Sequence, residues 1–267
     1  MSAIAKEGAN APLLLPERDG GILRLVLNRP AARNALSMVL MADLIAALDE
    51  AGRDPGVRVV VIAGTGPAFC AGHDLRELRA DPRRETYERV FARCSELMLR
   101  IVHLPKPVIA AVHGVATAAG CQLVATCDLA IAAENARFAT PGVNIGLFCS
   151  TPMVALSRAI GRKAAMEMLL LGELIDAGTA HRLGLVNRVV PEAGLRDAAD
   201  DLARRIAGKS ARTLAIGKEA FYRQAELDLA AAYRYAAEVM TTNMLAADAE
   251  EGIDAFLAKR PPVWQDR

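Results

Sequence analysis

Two stretches of this chain hold the residues best suited to chemistry. They are Ala68-Phe69-Cys70-Ala71-Gly72-His73-Asp74-Leu75 and Val112-His113-Gly114-Val115-Ala116-Thr117-Ala118-Ala119-Gly120-Cys121-Gln122-Leu123. Each follows a β-branched strand and bends through small residues into a helical pattern, so each leaves backbone N–H groups exposed. Two such groups converging at helix starts make a pocket for an acyl oxygen that becomes an enolate, because the donors are fixed before charge develops.

The elements that must position these turns are legible in the hydrophobic period. Leu13 to Leu15 and Ile22 to Leu27 flank Pro16-Glu17-Arg18-Asp19-Gly20-Gly21 and predict an opening hairpin. Ser37 is the expected N-cap of a helix through Leu48, with Leu40, Leu44, Ile45 and Leu48 at helical spacing and Gly52 and Pro55 as stops. Val57 to Ala63 is nearly continuous Val and Ile, the mark of a strand covered on both faces. There follow a helix around Glu85 to Ile101, a break at Leu104-Pro105-Lys106-Pro107, a strand Val108 to Val112, a small-residue helix and a strand Leu129 to Ala132. Repeated strand-strand-helix units with right-handed connections predict an α/β spiral. After Val190-Pro191 the chain turns to Ala, Arg, Glu and Leu with helical spacing through Leu202, Ile206, Leu214, Phe221, Tyr233 and Met240, which predicts an all-helical tail. The expected division is a spiral core over 1–195 that holds the site and a helical region over 196–267 whose apolar faces need a cover.

With 267 residues, 53% of them hydrophobic, the chain has enough apolar material for a large core. A net charge of +1 supplies no global field for nucleic acid or anionic lipid, so neither is an expected partner. Met1 to Asn10 has no apolar run fit for a secretory leader, and no stretch of about eighteen apolar residues suggests a membrane span. A cytoplasmic protein is the expectation. The five cysteines, Cys70, Cys94, Cys121, Cys127 and Cys149, lack the close pairing of a zinc site and read as reduced, mostly buried thiols, with no metal implied.

The segments "AFCAGHDL", "LNRPAARNALS", "VHGVATAAGCQLVATCDLAIA" and "EGIDAFLAKRPP", spread from about Leu25 to Arg260, resemble the crotonase superfamily, the enoyl-CoA hydratase/isomerase group. The resemblance implies a crotonase-like α/β spiral with a helical C-terminal extension, assembled as a trimer or dimer of trimers through that extension. It implies an acyl-CoA thioester as substrate, with coenzyme A as part of that substrate and no separate cofactor. The main-chain N–H groups of His73 and Ala119 become the two oxyanion donors, and the His73 ring a bystander, in solvent or hydrogen-bonded locally. Arg33 and Ala35 match the stretch along the CoA phosphates and pantetheine, and Ala71, Asp74 and Leu75 match its adenine-side and thioester-side wall. Phe256 and Lys259 match residues that approach CoA from the tail, and Met240 falls where an aromatic often packs on the adenine. Pro141 and Ser150 belong to the stretch where the chain re-enters the site.

This chain departs from that pattern at two places. The resemblance puts Gln122 and Gly142, the latter in Phe138-Ala139-Thr140-Pro141-Gly142, where hydratases carry their glutamates. Hydration of an enoyl thioester needs one group to take a proton from water and one to deliver a proton to the α-carbon. Gln122 can orient water but cannot exchange a proton near neutral pH, and Gly142 has no side chain. Among possible substitutes, Asn144 reads first as a local turn amide, Cys149 as a buried thiol, and Ser150 or Thr151 as the cap of a helix over Pro152 to Ile160. His113 reads as a satisfied core imidazole and Asp128 as a fold-supporting carboxylate. The function expected is an acyl-CoA-binding enzyme that polarises a thioester carbonyl, with enoyl-CoA hydration as the family's reaction. The alternative is a non-catalytic acyl-CoA binder.

Overall fold

In the computed structural model, which describes residues 11–267, strands β1 (Leu14–Asp19) and β2 (Ile22–Leu27) pair antiparallel with Asp19 opposite Ile22. Met1 to Asn10, read above as lacking a leader, lie outside the described residues. The reversal is therefore Gly20-Gly21 alone, and the first strand runs through Pro16, where the sequence suggested a longer turn. A proline is tolerated because β1 is the edge of its sheet, and Gly20 at φ +54° supplies the left-handed turn residue.

Helix α1 (Met38–Arg53) starts where expected, with Ser37 Oγ accepting from the Leu40 N–H at 3.2 Å. There follow β3 (Val59–Gly64), α2 (Leu75–Ala80), α3 (Arg84–His103), β4 (Val108–Val112), β5 (Val115–Thr117) and α4 (Ala119–Thr126). The chain continues through β6 (Leu129–Ala133), β7 (Arg137–Ala139), α5 (Pro152–Ala159), α6 (Arg162–Leu171), β8 (Ile175–Asp176), α7 (Ala177–Leu183) and β9 (Arg188–Val190). Four helices close it: α8 (Leu195–Ala207), α9 (Ala211–Gln224), α10 (Leu229–Met244) and α11 (Ala247–Leu257). One sheet has the order β1-β2-β3-β4-β6-β9, parallel from β2 onward, and the other has the order β5-β7-β8. Strands β4 and β6 of the first sheet are each followed at once by a short strand of the second, β5 and β7. A helix then returns the chain, which is the spiral read from the sequence.

The unbroken Val/Ile run of β3 has its reason in two cores. Val60, Ile62, Val108 and Ala110 face α1, α3 and α4, while Val59, Val61, Ile109 and Ala111 face Leu195, Ala199 and Ala203 of α8. Each such aliphatic side chain contributes about 1.5–3 kcal/mol on burial. Helix α8, which straddles the expected boundary at 195/196, thus forms one cover of the sheet, and the buried Arg24 of β2 pairs with its Asp200.

Asp128 ties α9 to this core. Its carboxylate accepts from the Val108 N–H at 2.7 Å, from Lys218 Nζ at 2.7 Å and from the Tyr222 hydroxyl at 2.9 Å. Burial lowers the Lys218 pKa, and the adjacent Asp128 opposes that shift. Asp128→Ala should destabilise the protein by about 3 kcal/mol, because it leaves a buried ammonium without its counter-charge. Urea unfolding checks this, and a loss below about 1 kcal/mol would contradict the anchoring role. All five cysteines are buried and free. Among the described residues no helix is long and apolar enough to cross a membrane, and no cluster of three or more His, Cys, Asp or Glu side chains could hold a metal ion.

Candidate active site

The two turns singled out in the sequence are stitched together by backbone. The Cys70 N–H donates to Val115 O at 3.1 Å, the Thr117 N–H to Cys70 O at 3.0 Å, and Thr117 Oγ1 to Ala71 O at 3.1 Å. Two glycines permit this closeness. A Cβ on Gly120 would lie 2.0 Å from Cys70 O, and one on Gly72, at φ +102°, would lie 3.4 Å from Ala119 N. His73 and Ala119 therefore stand side by side, and neither N–H has an acceptor among the described residues. Ala119 opens α4, whose dipole adds to the attraction for negative charge. Ala118 before it holds φ +50° and ψ −118°, strained for a residue with a Cβ, while its N–H donates to Ala139 O at 2.9 Å. Strain held in place by neighbours at such a point fits a donor fixed in advance.

A third segment braces the first turn. Leu36 N–H donates to Gly72 O at 2.7 Å, Asp74 N–H to Leu36 O at 3.1 Å, and Ala71 N–H to Arg33 O at 3.0 Å. The hub is Asn34, which the sequence reading did not single out. It is fully buried at φ +53°, with Nδ2 donating to Thr65 O at 2.9 Å and Ala68 O at 2.8 Å, and Oδ1 accepting from the Arg29 N–H at 2.7 Å. Asparagine's tolerance of the left-handed region was the available signal. Arg33 is exposed beside this brace and its guanidinium has no ion pair among the described residues. Ala35 is buried, and its carbonyl accepts from the Arg29 side chain.

Asp74 is occupied by structure. It caps α2 by accepting from the Arg76 and Glu77 N–H groups at 3.1 and 3.3 Å, and it pairs with Arg29 at 2.9 Å. Burial pushes its carboxyl up, but Arg29 and the two capping N–H groups outweigh this and hold the pKa below the usual value. Leu75 next to it is exposed and Ala71 half-buried, so both can border a ligand at the mouth of the turn.

The His73 ring corrects the expectation of a solvated or locally bonded bystander. It stacks edge-on against Phe91 of α3 at 5.5 Å between centroids, and its Nε2 is buried with no partner among the described residues. Burial pushes its pKa down to about 4, so the ring is neutral at physiological pH. Packing won over solvation here because α3, distant in sequence, lies across the turn.

Gln122 lies one turn into α4, buried, with its Oε1 accepting from the Cys94 thiol of α3 at 3.8 Å. It also borders a groove of about 1290 Å³ lined by Met98, Val102, Ala125, Val154 and Tyr222. Gly142 is buried in a 3-10 turn over Pro141–Ile145, and a Cβ there would meet Leu147 O at 2.7 Å and Cys149 Sγ at 2.9 Å. The loop thus leaves no room for a side chain at Gly142. Cys149 accepts from the Gly142 N–H, and burial raises its thiol pKa, which keeps it protonated. Pro141 is half-buried at the start of this turn, and the hydroxyl of the preceding Thr140 is buried without a partner among the described residues.

The demoted side chains divide. Asn144 is the local amide expected, with Nδ2 donating to Gly172 O at 3.2 Å. His113 is satisfied, its Nε2 2.9 Å from Gly66 O, but half-buried just past β4 and not in the strand core. Neither Ser150 nor Thr151 caps α5 through its side chain; Ser150 is exposed and donates to Phe148 O at 3.3 Å. Pro152 opens that helix, and the next two N–H groups, of Met153 and Val154, donate to Cys149 O at 2.9 Å and Thr151 O at 3.2 Å, which leaves no donor for a side-chain cap. Met240, Phe256 and Lys259 are exposed on or just after α10 and α11, which pack mainly on α9 and on each other. Within one chain that packing does not bring them against the two turns.

Similarity to known proteins agrees with this geometry. The sequence profile described as enoyl-CoA hydratase/isomerase matches residues 17–267. A protein of Rattus norvegicus named enoyl-CoA hydratase domain-containing protein 3, mitochondrial, is 48% identical over 247 residues, which cover 92% of this chain and 82% of that one. The crystal structure of a Mycobacterium smegmatis enoyl-CoA hydratase superposes with a TM-score of 0.93 at 55% identity, covering 95% of this chain and 99% of that one. The human enoyl-CoA hydratase domain-containing protein 3 structure gives 0.92 at 45% identity, covering 95% and 100%. The rat protein and its frog, mouse, zebrafish and human counterparts are all named mitochondrial, which overturns the expectation of a cytoplasmic protein drawn from the opening residues. With the crotonase-type spiral, the paired turns and these matches together, the chain belongs to the enoyl-CoA hydratase/isomerase family of the crotonase superfamily.

Proposed function

We propose that this protein is an acyl-CoA-binding enzyme that polarises the thioester carbonyl between the N–H groups of His73 and Ala119. The observation that carries the reading is the pair of acceptorless N–H groups held side by side through Gly72 and Gly120. Donors fixed before the reaction gain strength as charge builds on the thioester oxygen, and one such donor contributes on the order of 10²–10³-fold in rate. The Arg33 guanidinium, without an ion pair among the described residues, offers a bidentate contact for the CoA phosphates, and the groove beside Gln122 offers space for an acyl chain. No cofactor beyond the CoA of the substrate is called for. Calorimetry with butyryl-CoA should show saturable binding, weakened about tenfold by Arg33→Ala through the lost phosphate contact. Absence of binding at millimolar thioester would defeat the reading.

A second reading, a non-catalytic acyl-CoA binder, is favoured by one observation: the loop closes over Gly142 and leaves no room for a proton-transfer group there. Self-association as a trimer or dimer of trimers completes the proposal. It is supported by exposed apolar side chains at Ile145, Leu147 and Phe148 beside the site, and at Leu229, Tyr233 and Phe256 on the tail assigned to oligomerisation. Light scattering should give a mass that is a multiple of three protomers, and a clean monomer at micromolar concentration would contradict it.

A further inference from the structure

One guanidinium grips both sides of the first turn. Arg29, just after β2, donates from Nη1 to Ala35 O at 2.5 Å and from Nη2 to Asp74 Oδ2 at 2.9 Å. Its side chain is 19% exposed and that of Asp74 16%, so solvent screens the pair little. Ala35 and Asp74 adjoin Leu36 and His73, which face each other across a parallel bridge. The backbone N–H of Arg29 donates to Asn34 Oδ1 at 2.7 Å, so the residue that grips is itself fixed. The peptide between Gly72 and His73 is what this grip governs. Its oxygen accepts from the Leu36 N–H at 2.7 Å, and in a planar trans peptide the N–H points the opposite way. The Leu36 anchor therefore turns the His73 N–H away from the brace. Gly72, at φ +102°, has no Cβ to resist rotation of that peptide, so its orientation depends on how Leu36 sits against the turn. Arg29 sets that position by tying Ala35 to Asp74.

We infer that Arg29 is a positioning residue, holding the Gly72–His73 peptide plane so that the His73 N–H stays aimed at the thioester oxygen. The inference rests on the acyl-CoA reading above. It gives two nearby arginines different tasks. Arg33, without an ion pair among the described residues, meets the ligand, whereas Arg29, its charge matched by Asp74, acts only through the backbone it holds. Contacts that do not involve Arg29 keep the brace folded: Ser37 caps α1, and the Met38 N–H donates to Glu77 Oε2 of α2 at 3.0 Å. Loss of Arg29 should therefore free the peptide plane more than it disturbs the fold.

The test is infrared spectroscopy of butyryl-CoA labelled with ¹³C at the thioester carbonyl, bound at saturation to the unmodified protein, Arg29→Met and Arg29→Lys, with calorimetry on each. Arg29→Met should lose roughly half of the bound carbonyl's shift to lower wavenumber, since one of two donors is lost, while Kd rises less than about tenfold. Arg29→Lys keeps the charge beside Asp74 but lacks the planar fork that spans both acceptors, so its shift should fall between the other two. A merely structural arginine would lower stability and leave the band of the bound thioester where it is, and that result overturns the inference. A loss of binding well above tenfold in Arg29→Met also overturns it, because the whole site would then have failed. Should Arg29→Met fail to fold, Arg29→Lys and Asp74→Asn decide. Asp74→Asn keeps an oxygen to cap α2 while removing the charge that Arg29 meets, and it should also reduce the shift. An undiminished shift in both overturns the inference. If the unmodified protein binds no thioester, or binds it without a shift, the acyl-CoA reading falls and this inference with it; a shift that Arg29→Met leaves intact removes the inference alone.

Discussion

Crotonyl-CoA is expected to be hydrated by the unmodified protein at least about 10²-fold more slowly than by a hydratase with two carboxylates, since each proton-transfer group contributes about 10²–10⁴-fold. Neither Gln122 nor Gly142 can move a proton, and the nearest protic group at the second place, the Cys149 thiol, is held protonated by burial. Gln122→Glu should raise the rate about 10²-fold, because its carboxylate would stand one turn from Ala119, with the Cys94 thiol beside it as a hydrogen-bond donor. Gly142→Glu behaves differently. Its Cβ would lie 2.7 Å from the Leu147 carbonyl, so the substitution should displace the loop and lower stability before it adds any rate. Stopped-flow absorbance of the enoyl thioester measures all three proteins. A rate of tens per second or more for the unmodified protein, ordinary for enzymes in general, would contradict the claim that Gln122 and Gly142 stand where carboxylates are needed.

Gly120→Ala should destabilise the fold by about 4 kcal/mol or more and abolish thioester binding, the largest loss expected from one methyl group in this chain. The added Cβ would meet Cys70 O at 2.0 Å, and that oxygen is held by the Thr117 N–H in the bridge joining the two turns. Neither atom belongs to a flexible side chain, so relief requires the turns to part. Once parted, the turns would no longer hold the His73 and Ala119 N–H groups side by side, as the proposed thioester site requires. Denaturant unfolding and butyryl-CoA calorimetry give the two readouts. Retention of both stability and binding would show that the turns are less tightly coupled than the hydrogen bonds imply.

What could be read from the chain itself depended on whether local period decided the outcome. The Val/Ile run of β3 announced a strand covered on both faces, and Ser37 announced the start of α1, because strand burial and capping leave a signature within a few residues. The paired turns were legible for the same reason, through small residues between strand and helix. Contacts made across the chain were not. Asp128 could be read as fold-supporting, but its partners Lys218 and Tyr222 lie about ninety residues on, with no local signal to join them. The His73 ring was misplaced because Phe91 reaches it from a separate helix. The crowding at Gly142 was likewise invisible, since it arises from the path of the loop through Leu147 and Cys149. The N-cap expected at Ser150 or Thr151 failed because Thr151 is already helical in its backbone and the Met153 and Val154 N–H groups that a cap would serve donate to the carbonyls of Cys149 and Thr151.

The central claim is that a bound thioester oxygen lies between the N–H groups of His73 and Ala119, and isotope-edited infrared spectroscopy of an acyl-CoA labelled with ¹³C at the thioester carbonyl tests it most directly. Two fixed donors weaken the carbonyl bond, so the stretching band of the bound thioester should move to lower wavenumber than that of the free thioester in water. A bound thioester whose carbonyl band stays at its position in water, with calorimetry showing the site saturated, would contradict the account.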